Sequence, residues 1–187
     1  MKGLNGYNNA REITGDFERL PAGGYVCKIV KVEDVPAKEY LKIYYDINEG
    51  DYRGWWRDKY AANGNEYWPG SFIRSYKDKA LGFFKGFISA VDESNATQLG
   101  PTVESGLDEQ RLVGLGIGLV IAYEQYEARD HSIKERTYIA KTTTPQKIFA
   151  GDFKVPELKL LAGAKAQAAA AAPGGFDLLD DDETLPF

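Results

Sequence analysis

The segment from Tyr40 to Ile47 alternates between two kinds of position along its whole length. One set of alternate positions is apolar: Leu41, Ile43, Tyr45 and Ile47. The other set is aromatic or charged: Tyr40, Lys42, Tyr44 and Asp46. Because successive side chains of a β-strand point to opposite faces, this pattern predicts a half-buried strand with one aromatic and basic face.

Three further strands and one helix follow from the same patterning. Residues 25–35 are rich in β-branched side chains and predict a first strand. Residues 112–126 and 133–142 predict a late hairpin that turns across residues 128–132. Between these pairs, residues 75–91 predict a helix whose apolar side chains recur at core spacing. Those side chains are Leu81, Phe84, Ile88 and Val91, with Phe83 and Phe87 widening the stripe.

At least four strands, with a helix between the early and late pairs, favour a small antiparallel barrel. The OB-fold is a barrel of this kind, with five strands in Greek-key order and a nucleic-acid-binding face. We therefore predict a mainly β, OB-fold-like domain over residues 1–161, in which residues 147–161 form a weak closing segment. Gly114, Gly116 and Gly118 are expected to mark bends or bulges inside a strand.

The end of the 187-residue chain differs sharply in composition from the rest. Residues 162–176 are mostly Ala and Gly and predict a flexible linker, and residues 177–187 predict an acidic tip. Residues 163–187 carry Lys165 against five acids, which accounts for −4 of the net charge of −5. The remaining body has 22 basic and 23 acidic residues, so any nucleic-acid site must be a local patch.

Such a patch is visible between residues 53 and 85, where basic residues interleave with rings and all three tryptophans lie. Single-strand binding needs this combination, because cations track the phosphates while ring faces stack on unpaired bases. The predicted binding residues are Lys42, Tyr44, Arg53, Trp55, Trp56, Arg57, Lys59 and Trp68. Lys28 and Lys31 extend the patch if the register of the first strand places them on the same face.

Core packing is the alternative for these rings, because large aromatic side chains dominate protein interiors. Trp55 and Trp56 are adjacent, so an extended segment would point them in opposite directions and leave one available to a ligand. For Lys42 and Tyr44 the alternative is an ordinary solvated strand face. Core packing is the stronger expectation for a second aromatic group: Tyr123, Tyr126, Arg136 and Tyr138.

Signatures of catalysis are weak, and we predict no enzymatic activity, cofactor or metal. The GLGIG sequence at 114–118 has the wrong glycine spacing for a dinucleotide-binding loop and lies in a predicted strand. The sequence has no P-loop, and its only histidine, His131, is expected at the surface in a hairpin turn. A metal-dependent nuclease would need clustered carboxylates, but the nearest group fits an ordinary Asp-rich turn: Asp46, Glu49, Asp51 and Asp58.

The cellular environment follows from features that the sequence lacks. Cys27 is the only cysteine, so an intrachain disulfide or a cysteine-based zinc site is not possible. No apolar run approaches the roughly 20 residues that span a bilayer, and the first residues lack the apolar core of a secretion signal. These features predict a cytoplasmic protein without a membrane partner.

The last residues, DLLDDDETLPF, form an acidic peptide with a Pro-Phe end. This ending resembles the C-terminal tip of bacterial and bacteriophage single-stranded-DNA-binding proteins. The match covers Asp180, Asp181, Asp182, Leu185, Pro186 and Phe187. The body also resembles a phage-encoded group of single-strand-binding-like proteins, over residues 21–25, 40–54 and 118–129.

The resemblance implies an OB-fold body that binds single-stranded DNA without sequence preference during replication or recombination, in the host cytoplasm if phage-encoded. Family members range from monomers to tetramers, so a homo-oligomer is among the expected states. The tip would recruit replication or recombination proteins through Asp180, Asp181, Asp182, Pro186 and Phe187. Two alternatives stay open: a recombination mediator that mainly bridges proteins, and a carbohydrate-binding barrel whose exposed rings stack on sugars.

Overall fold

The computed structural model describes residues 19–161, so the predicted linker at 162–176 and the predicted tip at 177–187 lie outside the described residues. The five strands are β1 (Gly23–Val35), β2 (Tyr40–Ile47), β3 (Ser71–Ser75), β4 (Gly116–Glu127) and β5 (Ile133–Thr143). The helices are α1 (Trp55–Ala62), α2 (Leu81–Asn95) and α3 (Pro145–Phe149). Short 3-10 turns lie at Pro36–Lys38, Asp78–Ala80, Gly100–Thr102 and Glu109–Leu112.

The strands form one antiparallel sheet in the order β3-β2-β1-β4-β5. β1, β2 and β3 are neighbours in chain order, and β4 returns after α2 to pair with the other edge of β1. This gives the first four strands the spatial order of a Greek key. Within residues 19–161, β3 and β5 end the sheet, and α2 packs against β3, β4 and β5. The domain is therefore mainly β.

All four predicted strands are present. β2 has the predicted bounds, and its apolar positions are buried while the intervening ones are half-buried. The first strand and the late hairpin are also present, although β4 starts at Gly116, later than predicted. β3 is a strand that the sequence pattern does not predict, because its five residues, SFIRS, are too few to establish an alternation.

The predicted helix is present with shifted ends, because α2 spans Leu81–Asn95. Its buried side chains are Phe84, Phe87, Ile88, Ala90 and Val91. Leu81 and Phe83 are exposed at 46% and 72%, so the prediction that they join the apolar stripe is wrong. The buried face begins at Phe84, and the first turn of the helix lies outside the core.

The main core lies between the inner face of the sheet and α2. β4 contributes to it with Ile117, Leu119 and Ile121. The outward-pointing residues Val120 and Ala122 are fully buried as well. β4 is therefore covered on both faces, which explains its continuous apolar run.

α3 and the residues after it cover the outer face of β4. A Cβ atom at Gly118 would lie 2.6 Å from the Thr144 carbonyl oxygen, and one at Gly24 would lie 2.5 Å from the Phe153 ring. Gly118 thus allows close packing, and the bulge expected near it lies instead between Val120 and Ile121. We call this outer surface the covered face, defined by Gly24, Gly118, Val120 and Ala122.

The chain after α3 also pairs with the second half of β4. The Gln125 amide donates to the Lys159 carbonyl at 2.8 Å, and the Lys159 amide donates to the Tyr123 carbonyl at 3.1 Å. The closing segment predicted at 147–161 therefore contributes part of α3 and this bridge. Of the helices between residues 19 and 161, none has both the length and the apolarity to cross a membrane.

Candidate nucleic-acid interface

A β-bulge in β1 decides which side chains face outward beside β2. The register of β1 against β2 shifts between Ile29 and Lys31, which leaves Val30 as an extra residue. In a regular strand Lys31 would follow Ile29 onto the buried face, because side chains alternate. The bulge reverses the alternation, so Val32 is buried while Lys31 is exposed.

Four side chains from β1 and β2 form what we call the Tyr44 cluster: Lys31, Glu33, Lys42 and Tyr44. The strand register places Lys31 opposite Tyr44 and Glu33 opposite Lys42. Glu33 Oε1 lies 2.5 Å from Lys31 Nζ, and Glu33 Oε2 accepts a hydrogen bond from the Tyr44 hydroxyl at 2.7 Å. The Nζ atoms of Lys31 and Lys42 lie 5.3 Å and 4.8 Å from the Tyr44 ring centroid.

These contacts favour the ionised forms of the charged side chains of the Tyr44 cluster. The hydrogen bonds from Lys31 and Tyr44 lower the pKa of the Glu33 carboxyl. The hydrogen bond to Glu33 raises the pKa of Lys31, and the neighbouring Tyr44 hydroxyl raises the pKa of Lys42. Two ammonium groups and one carboxylate give the cluster a net positive charge.

An open groove of about 720 Å³ adjoins the Tyr44 cluster. Two lysines line it, Lys31 and Lys42, together with four rings: Tyr44, Tyr60, Tyr67 and Trp68. Glu66 and Ser71 also line it. We call this outer surface of β1, β2 and β3, with the groove, the open face.

The loop before β3 positions the outer rings of the groove. The Trp68 indole N–H donates to the Tyr45 carbonyl at 3.0 Å, and the Tyr60 and Trp68 ring centroids are 5.3 Å apart. The Asn63 amide donates to the Tyr67 carbonyl at 2.8 Å, which holds the backbone of the loop. The Tyr67 residue remains 63% exposed, so its ring is available for stacking.

Trp55 and Trp56 lie at the start of α1, so the extended conformation considered for them is not present. The Trp56 amide donates to Asp46 Oδ1 at 3.0 Å, which ties the first turn of the helix to β2. Both rings are half-buried and pack against the core. The Trp55 indole N–H is buried and has no hydrogen-bond partner within residues 19–161. Trp55 and Trp56 therefore have a packing role here.

The predicted binding residues divide into two groups. Lys42, Tyr44 and Trp68 meet in the groove. The others lie in or beside α1 and do not line it: Arg53, Trp55, Trp56, Arg57 and Lys59.

The cationic side chains in or beside α1 interact with neighbouring residues or are exposed to solvent. Lys59 Nζ lies 4.4 Å from the Trp55 ring centroid, and Arg57 Nε lies 3.3 Å from Asp58 Oδ1. Arg53 is exposed. The cations that line the groove are therefore Lys31 of β1 and Lys42 of β2.

The groove also contains residues that the sequence did not single out as binding residues. Tyr60 and Tyr67 stood out only as members of a ring-rich segment. The prediction for Lys31 depends on the register of β1. The bulge gives β1 the register that brings Lys31 into the groove. The density of rings between residues 53 and 85 is the only local feature that could have indicated Tyr60 and Tyr67. No local pattern shows that β3 pairs with β2 and brings the loop before β3 to the groove.

The second aromatic group does not enter the core cluster, which corrects the expectation for it. Tyr123, Tyr126 and Tyr138 are half-buried. The Tyr123 hydroxyl donates to the Leu20 carbonyl at 2.9 Å, and the Arg136 guanidinium lies 5.2 Å from the Tyr126 ring centroid. Burial and the nearby Glu124 raise the pKa of Tyr138.

Other candidate chemistry is sparse in the described part of the chain. His131 lies in the β4–β5 turn, with its Nδ1 2.5 Å from Glu127 Oε1, and its side chain is 87% exposed. No group of three or more His, Cys, Asp or Glu residues within 19–161 is arranged to hold a metal ion. No protein-family model matches this chain, and no curated protein sequence matches it.

Proposed function

We propose that the open face binds single-stranded DNA without sequence preference. The observation that carries this proposal is the groove in which Lys31 and Lys42 lie beside Tyr44, Tyr60, Tyr67 and Trp68. The lysines would contact successive phosphates, and the rings would stack on the bases between them. Stacking accepts every base, because each base has a π-face, so this chemistry supports binding without sequence preference.

We further propose that the sheet is an OB-like barrel. The Greek-key order of β1 to β4, the bulge that bends β1 and the hairpin to β5 support this proposal. OB-folds bind oligonucleotides on the face of their second and third strands and in adjoining loops. The groove has this location, since Lys42 and Tyr44 lie on β2 and Ser71 lies on β3.

The biological role we propose is protection of exposed DNA strands in bacterial or phage replication and recombination, in the cytoplasm. The acidic tip at 177–187 would recruit a replication or recombination protein, through the charge of Asp180, Asp181 and Asp182 and the apolar Pro186 and Phe187. Removal of residues 177–187 is then expected to abolish partner capture while oligonucleotide binding by the body persists.

The test is a titration of dye-labelled oligo(dT) with the full chain, followed by fluorescence anisotropy at several salt concentrations. Two phosphate contacts predict that log K falls with log salt at a slope of about −1.4, from about −0.7 per contact on a single strand. A duplex of equal length serves as the control and should bind more weakly, because its bases are not open to stacking.

Two results would contradict the proposal. Salt-independent binding of an uncharged oligosaccharide, without oligo(dT) binding, would favour the carbohydrate-binding alternative. Partner capture through the tip, without oligo(dT) binding even after removal of residues 177–187, would favour the protein-bridging alternative.

A further inference from the structure

We propose that Glu33 is an internal competitor for phosphate: in the unliganded protein its carboxylate holds the place that a phosphate of the bound strand takes. This inference rests on the proposed function and adds a means by which the open face tunes its own affinity. Without such a role, the negative charge of Glu33 would only oppose the binding of a polyanion.

The contacts of Glu33 are those that a phosphate group would make. Its two carboxylate oxygens bind two separate donors, Lys31 Nζ at 2.5 Å and the Tyr44 hydroxyl at 2.7 Å. A phosphate also presents several oxygens to ammonium and hydroxyl donors. Lys42, which lies opposite Glu33 in the register and 4.8 Å from the Tyr44 ring centroid, completes a cationic setting for either anion.

A phosphate can replace the Glu33 carboxylate without any opening of the core. The Lys31 and Glu33 side chains are 61% and 39% exposed, so the carboxylate can turn away into solvent. An exposed lysine–carboxylate pair is weak, and a strand that presents several phosphates at once can displace it. Glu33 therefore lowers the affinity for DNA without blocking the groove.

The charged groups around Glu33 support the same conclusion. Lys31 and Tyr44 lower the pKa of its carboxyl, so at neutral pH Glu33 carries a negative charge beside the positively charged lysines. Glu66 is an acid that lines the groove itself, whereas Glu33 contacts the lining residues Lys31 and Tyr44. Glu66 makes no ion pair within the described residues. It is the matched control, because its removal changes the charge of the groove equally without releasing Lys31.

The first experiment compares the affinity of the full chain for dye-labelled oligo(dT) in the wild type, Glu33→Gln and Glu66→Gln. Glutamine at 33 keeps an oxygen that accepts from Tyr44 but loses the charge that holds Lys31. We expect Glu33→Gln to bind about two- to fivefold more tightly, the weight of one exposed ion pair. Glu66→Gln should change the affinity less than Glu33→Gln does.

A double-mutant cycle with Lys31→Met separates release of Lys31 from a general charge effect. In the wild type Lys31 is already engaged by Glu33, so its loss should weaken binding little. In the Glu33→Gln background the same change should weaken binding several-fold more. With Glu66→Gln the two effects should simply add. Thermal unfolding of each variant checks that the fold is intact.

Three results would overturn the inference. Equal affinities of Glu33→Gln and Glu66→Gln, with an additive cycle, would reduce Glu33 to one charge among several. Weaker binding by Glu33→Gln would mean that Glu33 positions Lys31 and Tyr44 for DNA. Both results leave the proposed function standing, whereas a failure of the wild type and every variant to bind oligo(dT) would overturn both.

Discussion

The covered face and the open face belong to the same outer surface of one sheet, yet their side chains differ completely. The covered face consists of small or aliphatic residues, Gly24, Gly118, Val120 and Ala122, which are buried or half-buried beneath α3 and Phe153. The open face presents Lys31, Lys42, Tyr44 and Tyr67 to a groove. Within residues 19–161, other parts of the chain cover the first surface and leave the second open.

This difference separates the rings that stabilise the fold by packing from the rings that remain at the surface. A covered sheet face is satisfied by glycine and aliphatic side chains, because close packing alone stabilises it. The open face keeps large rings at the surface, although burial would remove their apolar area from water. Trp55 and Trp56 pack against the core, whereas the 63% exposure of Tyr67 is not explained by packing. A ligand that stacks would explain it.

The largest expected effect is on stability, from crowding the covered face. Gly118→Ala would bring a Cβ to 2.6 Å from the Thr144 carbonyl oxygen, so α3 must shift. We expect a loss of about 1–3 kcal/mol in the free energy of unfolding, measured by urea denaturation. Gly86→Ala in α2 is the control: its Cβ would meet nothing within 4 Å. It should gain about 0.5–1 kcal/mol, because alanine favours helix. Equal stabilities of the two variants would refute the account of the covered face.

The second effect is on binding, from removing a ring of the open face. Tyr67→Ala should weaken oligo(dT) binding by about 1–3 kcal/mol, since one base loses its stacking partner. Phe149→Ala is the matched control, because Phe149 is 66% exposed but lies in α3, outside the groove. It should leave the anisotropy titration unchanged. Equal losses in both variants would show that exposure alone, not position, sets the effect.

The third effect is electrostatic. Lys42→Met should remove one phosphate contact, weaken binding at low salt and reduce the magnitude of the salt slope by about 0.7. Lys141→Met, at an exposed position of β5, should leave both the affinity and the slope unchanged. A Lys42 variant whose affinity falls equally at all salt concentrations would contradict a phosphate contact at this position.

The smallest effect should come from an ion pair on β4 and β5. Arg136 Nε lies 2.7 Å from Glu124 Oε1, and the arginine side chain is 60% exposed while that of Glu124 is 14% exposed. Lys159 Nζ, 3.8 Å from Glu124 Oε2, remains as a second cation when Arg136 is removed. Arg136→Ala should therefore cost at most about 1 kcal/mol in unfolding free energy, and added salt should diminish the difference. Oligo(dT) affinity should not change. A clear loss of binding would extend the interface to the β4–β5 hairpin.

The sequence predicted those elements whose signals are local. The strict alternation of residues 40–47 predicted the bounds of β2, and the strand predicted at 112–126 is present as β4, which starts at Gly116. The start of α1 has no such local signal, because Gly54 precedes it in the left-handed conformation, with φ 78° and no capping side chain. The capping oxygen comes from Asp46 of β2, which is apparent only in the folded chain.

The candidate site divides in the same way. Lys42, Tyr44 and Trp68 could be selected from alternation and ring density alone. Lys31 could not, because its outward position depends on the single extra residue, Val30, in the pairing of β1 with β2. Tyr67 reaches the groove because β3, a strand with no sequence pattern, pairs with β2 and brings the preceding loop back to Tyr44, whereas Tyr60 reaches it from α1.

Photo-cross-linking tests most directly whether nucleic acid lies on the open face. The full chain would be irradiated with an oligonucleotide that carries 5-iodouracil, and the cross-linked peptides would be identified by mass spectrometry. We expect adducts on the groove rings Tyr44, Tyr60, Tyr67 and Trp68, with competition by unlabelled oligo(dT). Adducts confined to Phe149, Tyr52 or other rings outside the groove would contradict this expectation.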